Sequence, residues 1–136
     1  MSIIEVKYSL PSWLSKEDKR LFVVEFYSFS YAISIFIINS SDGCKTIARP
    51  YNILARRYTN VVFLRLNVDN LGRDAQQYNV QALPTFIFFY QGEEENRIIT
   101  EDIQQVEDEI NRILSAKAEN SSEAQDGRFQ FMCFTI

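Results

Sequence analysis

Histidine is absent from the 136 residues of this sequence. Its absence removes imidazole metal ligands, Ser-His-Asp and Cys-His nucleophile pairs, and the side chain that most often transfers protons near neutral pH. We therefore expect neither a metal site nor hydrolase chemistry, and no feature of the sequence requires a cofactor.

Cysteine is scarce as well, because Cys44 and Cys133 are the only two in the sequence. One lies in a predicted domain core and the other in an apolar tail, which does not match the dense disulfide framework of small secreted domains. Residues 1–7 also lack the basic and apolar regions of a signal peptide. These features predict a reducing compartment, and we expect a cytoplasmic protein.

Clusters of like charge are missing too. The net charge is -4, and the lysines and arginines are scattered without a run of five like charges. A surface of this kind does not follow a phosphate backbone, so nucleic acid is not an expected partner.

One long stretch is poor in charge. Residues 21–39 carry only Glu25 as a charged side chain and are about long enough to cross a bilayer. Their serines and their many β-branched and aromatic residues favour two buried strands instead. We therefore expect part of a sheet here and not a membrane span.

The remaining sequence has the pattern of one globular domain, with 46% hydrophobic and 14% aromatic residues. Apolar runs predict strands over residues 3–7, 21–27, 61–68, 85–90 and 97–99, and helical spacing predicts helices over residues 44–58, 73–78 and 103–116. The continuous apolar run at 21–27 is typical of a central strand buried on both faces. This order of elements requires a mixed sheet with helices on both faces, which is a three-layer α/β/α fold.

Two short motifs give the chain a family resemblance. Cys44-Lys45-Thr46-Ile47-Ala48 opens a predicted helix, and Pro84-Thr85-Phe86 opens a predicted strand forty residues after Cys44. With these motifs the chain resembles the thioredoxin family over about residues 3–114, without a gap between residues 44 and 89. The resemblance implies a thioredoxin-like fold in which the two motifs face each other, and it implies protein or peptide clients.

The sequence departs from the family at the active-site motif. Where the family has Trp-Cys-Gly-Pro-Cys, this chain has Ser40-Ser41-Asp42-Gly43-Cys44. Cys44 thus matches the resolving cysteine, and Ser41 stands at the position of the attacking cysteine. Disulfide exchange needs one thiolate to attack and a second thiol to release the mixed disulfide. Two interpretations of Cys44 stay open, a small packing residue or a slow redox thiol, whereas Ser41 is expected to cap the helix.

The missing attacking cysteine decides our functional expectation. We expect a redox-inactive domain that serves as a peptide-binding or adaptor module. The first alternative is a thiol–disulfide oxidoreductase that reduces protein disulfides through Cys44. The second is a membrane-associated thioredoxin-related protein.

Glu25 takes the place of the family's buried acid. A desolvated carboxyl has a raised pKa unless a cation pairs with it, and Arg65 on the adjacent predicted strand is the candidate cation. A structural pair and a role in acid–base chemistry are both open interpretations of Glu25.

The resemblance also places a client-binding loop. It implies a cis peptide bond before Pro84, with Leu83 offering its backbone to an extended client peptide beside Thr85. The alternative is a turn that only shapes the fold. Thr100 replaces a glycine of the family and is expected to narrow the client groove.

Two segments lie outside this pattern. We expect the domain to cover residues 1–116, with an apolar insertion at about residues 29–39 that lengthens the central strand, forms a flap over Cys44, or packs badly and promotes aggregation. The composition of the insertion also fits translated non-coding sequence. Residues 117–127 lack large apolar side chains and predict a flexible linker, and an apolar tail ends the chain at residue 136.

Overall fold

The computed structural model describes residues 3–28 and 41–125, with side chains described to residue 28 and from 43 to 119. In chain order the elements are β1 (Ile4–Glu5), a 3-10 turn (Pro11–Trp13), β2 (Leu21–Tyr27), α1 (Ser41–Arg57), β3 (Val61–Asn67), α2 (Gly72–Gln77), β4 (Thr85–Tyr90), β5 (Glu93–Ile99) and α3 (Ile103–Gln125). The chain divides into two compact units, residues 1–106 and residues 107–136. The five strands therefore all belong to the first unit.

The five strands form one mixed sheet in the order β1-β3-β2-β4-β5. Strands β1, β3 and β2 run parallel, whereas β4 is antiparallel to both β2 and β5. All seven residues of β2 are buried, because β2 lies in the middle of the sheet. The predicted α/β class, the mixed sheet and the central position of residues 21–27 are confirmed.

Strand boundaries agree best where the strands are apolar. The predictions for β2 and β4 are confirmed at both ends. The prediction for β5 was too short, since its polar residues from Glu93 onward pair with β4. Gln91 and Gly92 connect these two strands with positive φ angles of 51° and 83°. Positive φ at both positions is what a two-residue hairpin turn of type I′ requires.

Helix α1 is anchored to the sheet by Tyr51. This side chain has no exposed surface. Its hydroxyl lies 3.1 Å from the carbonyl oxygen of Val23 and 2.9 Å from that of Leu64, so it donates to the main chain of β2 or β3. Its ring meets Phe63 and Phe86 edge to face, with centroids 5.6 and 5.3 Å apart. The middle of α1 is thereby held against the central strands.

Helix α3 is longer than predicted, and it extends into the segment that was predicted to be a linker. The prediction ended the helix at Ala116, but α3 continues to Gln125. Residues 117–125 contain no glycine or proline and include alanine, glutamate, lysine and glutamine, which favour a helix. The first helix-ending residue is Gly127. The linker prediction is therefore wrong for residues 117–125, while the domain boundary itself stays a prediction.

Two predicted segments lie outside the described residues. These are the apolar insertion at about residues 29–39 and the tail from residue 126 onward. Within residues 3–28 and 41–125, no helix combines the length and the apolar character that a membrane span needs.

Candidate functional site

Cys44 lies in the first turn of α1, three residues after the first residue of the helix, Ser41. It has no exposed surface. The pKa of its thiol is raised from 9.0 to about 11, chiefly by burial; a hydrogen bond with the backbone of Ser28 acts to lower this pKa, and the charge of Glu25 acts to raise it. The thiol is therefore protonated near neutral pH, and it needs access to a client before it can react.

Glu25 and Arg65 form an ion pair in the sheet below Cys44's helix. Arg65 Nε donates to Glu25 Oε1 at 2.9 Å, across the parallel register of β2 and β3. The Glu25 side chain is fully buried, and its Oε2 has no hydrogen-bond partner among the described residues. Desolvation raises the pKa of Glu25 to about 7 despite the opposing effect of Arg65. The predicted pair is confirmed, and it coexists with the raised pKa.

The ion pair continues to the sheet edge through two more side chains. The Tyr27 ring lies under the Arg65 guanidinium, with Cζ 3.9 Å from the ring centroid. The Tyr27 hydroxyl lies 2.9 and 3.0 Å from the two carboxylate oxygens of Glu5 on β1. Cation–π contact and a charge-assisted hydrogen bond both favour this arrangement. Sequence reasoning did not find it, because no motif marks Tyr27 or Glu5.

The loop before β4 contains the second predicted motif. The peptide bond between Leu83 and Pro84 is cis. Leu83 and Thr85 are buried at 3% and 2% exposure. The Thr85 hydroxyl donates to the carbonyl oxygen of Ala82 at 2.6 Å, which closes the turn around the proline. Leu83 and Cys44 both belong to one large cluster of buried apolar residues.

Two further predicted site residues are at helix starts. The Thr100 hydroxyl accepts a hydrogen bond from the Asp102 backbone at 2.9 Å, and the Asp102 carboxylate accepts one from the Gln104 backbone at 3.0 Å. Thr100 thus helps to begin α3, and its effect on a client groove stays a prediction. Ser41 begins α1, but its side chain is outside the described set, so its capping role also stays a prediction.

Ser28 is a site residue that sequence reasoning missed. It follows β2 directly, is 1% exposed, and its hydroxyl donates to Asp69 Oδ2 at 2.8 Å. Its backbone also interacts with the Cys44 thiol. The available signal was a small polar residue at the end of the central strand, level with an aspartate that follows β3.

Comparisons of the sequence with a family model and with curated proteins agree on one family. The family model for thioredoxin matches residues 35–115. Thioredoxin H5 from Arabidopsis thaliana is 32% identical over 112 residues, which cover 79% of this chain and 83% of that protein. Thioredoxin from Ovis aries is 29% identical over 111 residues, which cover 82% of this chain and 96% of that protein.

Solved structures agree with these relatives. The crystal structure of reduced Schistosoma mansoni thioredoxin pre-protein has a TM-score of 0.68 and 32% identity, and the match covers 82% of this chain and 98% of that one. The thioredoxin NaTrxh from Nicotiana alata also has a TM-score of 0.68, at 29% identity, over 82% of this chain and 91% of its own.

These relatives correct the functional expectation. The sequence predicts a redox-inactive peptide-binding or adaptor module, and this prediction is wrong, because the relatives are named thioredoxins. The error came from treating the missing attacking cysteine as decisive. A single thiol is enough to form a mixed disulfide when another molecule supplies the second thiol. With a family model that matches residues 35–115 and relatives of the same name along most of its length, the chain belongs to the thioredoxin family.

Proposed function

We propose that this protein is a thiol–disulfide oxidoreductase that reduces disulfides of protein clients through Cys44. The observation that carries the proposal is the position of Cys44. It lies in the first turn of α1, within one buried cluster with Leu83 of the cis-proline loop, in a chain whose match covers 96% of the thioredoxin from Ovis aries.

The proposed reaction needs a second thiol from outside the protein. The Cys44 thiol loses its proton, and its sulfur attacks one sulfur of a client disulfide, so a mixed disulfide forms and the other client sulfur leaves as a thiolate. A glutathione thiolate then attacks the Cys44 sulfur and releases the second client thiol. A second glutathione reduces the resulting mixed disulfide and leaves oxidised glutathione. The client gains two electrons, and two glutathione molecules lose one each.

The structure favours a slow first step. A thiol with a pKa of about 11 is rarely ionised near neutral pH, and a fully buried sulfur must become accessible before it attacks. Glu25 acts on the thiol through its charge, and its own pKa of about 7 allows it to exchange a proton near neutral pH. We therefore propose that Glu25 has a part in acid–base chemistry in addition to its structural pair with Arg65.

The cis-proline loop is the proposed client site. An extended client peptide aligns with the backbone at Leu83 and Thr85 as an added strand, next to Pro84. The Thr100 side chain stands where a glycine would leave more room, so we propose a narrower groove and a restricted set of clients. A cytoplasmic, reducing compartment suits this reaction and remains a prediction.

The test is capture of the mixed disulfide. Purified protein is incubated with a disulfide-containing client such as insulin and with glutathione, and intact mass and client reduction are measured. We expect a mixed disulfide at Cys44 and glutathione-dependent reduction that is lost in Cys44→Ser. The matched control is Cys133→Ser, which should retain both. Equal activity in Cys44→Ser and the unchanged protein would refute the proposal.

A further inference from the structure

An open cavity lies at the sheet edge formed by β1 and β3, beside α1. Its volume is about 410 Å³. Its walls are made by six residues: Ile3, Glu5, Ala48, Arg49, Asn52 and Arg65. None of these residues belongs to the cis-proline loop or stands at Ser41 or Cys44, so the cavity is separate from the proposed client site.

The polar part of the wall is rich in hydrogen-bond donors. Arg49 and Asn52 are one turn apart on α1 and therefore project from the same side of that helix. Arg65 reaches the cavity from β3. The guanidinium of Arg49 presents a fixed fork of donors that matches the oxygens of phosphate and carboxylate groups, and the Asn52 amide adds a further donor. Arg65, whose Nε donates to Glu25, contributes its positive charge. This donor set suits an oxyanion.

The guanidinium of Arg65 is held in place from two sides. Its Nε is bonded to Glu25 Oε1 at 2.9 Å, and the Tyr27 ring covers one face at 3.9 Å from Cζ. The Arg65 side chain is only 18% exposed. A guanidinium that is already ordered loses less conformational entropy when it binds a ligand. The Arg65 guanidinium is therefore preorganised in the wall of the cavity.

The charge of the cavity depends on Glu25. Arg49 and Arg65 contribute two positive charges to the wall and Glu5 one negative charge, which leaves one net positive charge before Glu25 is counted. The Glu5 oxygens accept the Tyr27 hydroxyl, which directs them toward that ring. When Glu25 is protonated it no longer offsets Arg65, and the cavity then attracts an anion more strongly.

The titratable and charged groups that act on Glu25 come from every neighbouring element. They are Glu5 on β1, Tyr27 on β2, Cys44 and Tyr51 on α1, and Arg65 on β3. The pKa of Tyr27 is raised to about 12, that of Cys44 to about 11, and that of Tyr51 well above its ordinary value, each mainly by burial. These three groups stay neutral near pH 7, whereas Glu25 changes its charge there.

We propose that this cavity binds a small oxyanion of the phosphate class through Arg49, Asn52 and Arg65, and that binding is tighter when Glu25 is protonated. By linkage, a bound oxyanion favours the protonated form of Glu25 to the same extent. The proposal does not depend on the redox function, because it requires neither Cys44 nor a client.

The probe is sulfate, whose charge does not change between about pH 6 and about pH 8, unlike that of phosphate. Nitrogen-15 NMR of arginine side chains is recorded during a sulfate titration, with chloride at matched ionic strength as the reference. We expect saturable shifts of the Arg49 and Arg65 Nε–H signals and none at Arg97, which lies on β5 at the opposite edge of the sheet. Linear shifts equal to those in chloride would overturn the proposal.

Three variants make the test specific. Arg49→Gln should weaken sulfate binding on the order of tenfold, because one charge-assisted fork is lost, whereas Arg97→Gln should leave it unchanged. Glu25→Gln should bind sulfate equally well at both pH values, while the unchanged protein binds it more tightly at about pH 6. Equal affinities in the two arginine variants would overturn the site, and an unaltered pH dependence in Glu25→Gln would overturn the coupling.

Discussion

The carboxylate of Glu25 meets the guanidinium of Arg65 at 2.9 Å, with the glutamate fully buried and the arginine side chain 18% exposed. The two partners are therefore desolvated to different extents. Glu25 loses all its contact with water, and the single hydrogen bond from Arg65 does not compensate this loss, so its pKa rises to about 7. The hydrogen bond keeps the two side chains together, but burial disfavours the charged form of Glu25.

This imbalance makes the free energy of unfolding depend on pH. The folded-state pKa of Glu25 is raised from 4.5 to about 7. The folded protein therefore keeps a proton that the unfolded chain has already released. The contribution of Glu25 to stability is fully present below about pH 4.5 and is lost as the pH rises through about 7. Its size is roughly 3 kcal/mol, by the usual conversion of a pKa difference.

We predict that Glu25→Gln removes this pH dependence. Urea unfolding between about pH 5 and about pH 8 should show a smaller fall in stability with rising pH for the variant than for the unchanged protein. The control is Glu94→Gln, which removes the acid of the exposed Glu94–Arg97 pair. This control should keep the original slope. Parallel stability curves for the Glu25 variant and the unchanged protein would contradict the prediction.

A second prediction concerns the reactivity of Cys44. A pKa of about 11, against an ordinary value of 9.0, lowers the thiolate fraction near neutral pH about a hundredfold. In the Cys133→Ser background, alkylation by iodoacetamide should be at least that much slower than for a free cysteine, and its rate should still be rising at about pH 10. Urea should restore the ordinary rate. A rate that levels off near pH 8 would show that the thiol is not desolvated as described.

The third prediction tests the anchor of α1. Tyr51→Phe removes the hydroxyl that donates to the carbonyl oxygen of Val23 or Leu64, while the ring contacts with Phe63 and Phe86 are kept. We expect a loss of about 1–3 kcal/mol in the free energy of unfolding, because a buried hydrogen bond is lost without a replacement. Tyr8→Phe is the control, since Tyr8 is 87% exposed. Equal stabilities of the two variants would contradict the anchoring role.

Much of the fold followed from the apolar pattern of the sequence. Strands β2 and β4 were predicted to the residue because nearly all of their residues are buried, and a short continuous apolar run is typical of a strand covered on both faces. Strand β5 and the end of α3 were not predicted, because their residues are mostly polar. The start of β5 depends on its pairing with β4, and the length of α3 depends on the lack of a glycine between residues 103 and 126. An apolar pattern reports neither of these features.

The candidate site was predicted only where a motif or a charge marked it. Glu25 stood out as the single charge in an apolar run, and its partner Arg65 followed from the neighbouring strand. The contacts of Tyr27 with Glu5 and of Ser28 with Asp69 join residues 22 and 41 positions apart. Such contacts depend on how the strand ends align in space. An ordinary tyrosine or serine gives no sign of them in the sequence.

The last prediction restores the thiol that the proposed mechanism takes from outside. Ser41→Cys places a second cysteine at the first residue of α1, three positions before Cys44, where the partial positive charge of the helix start favours a thiolate. The new thiol attacks the client, and Cys44 then releases the mixed disulfide within the same molecule. Insulin reduction should become at least about tenfold faster at low glutathione, because an intramolecular thiol has a high effective concentration. Ser40→Cys, one position out of register, should give no such gain, and equal rates for the two variants would mean that Cys44 does not act at the site assigned to it.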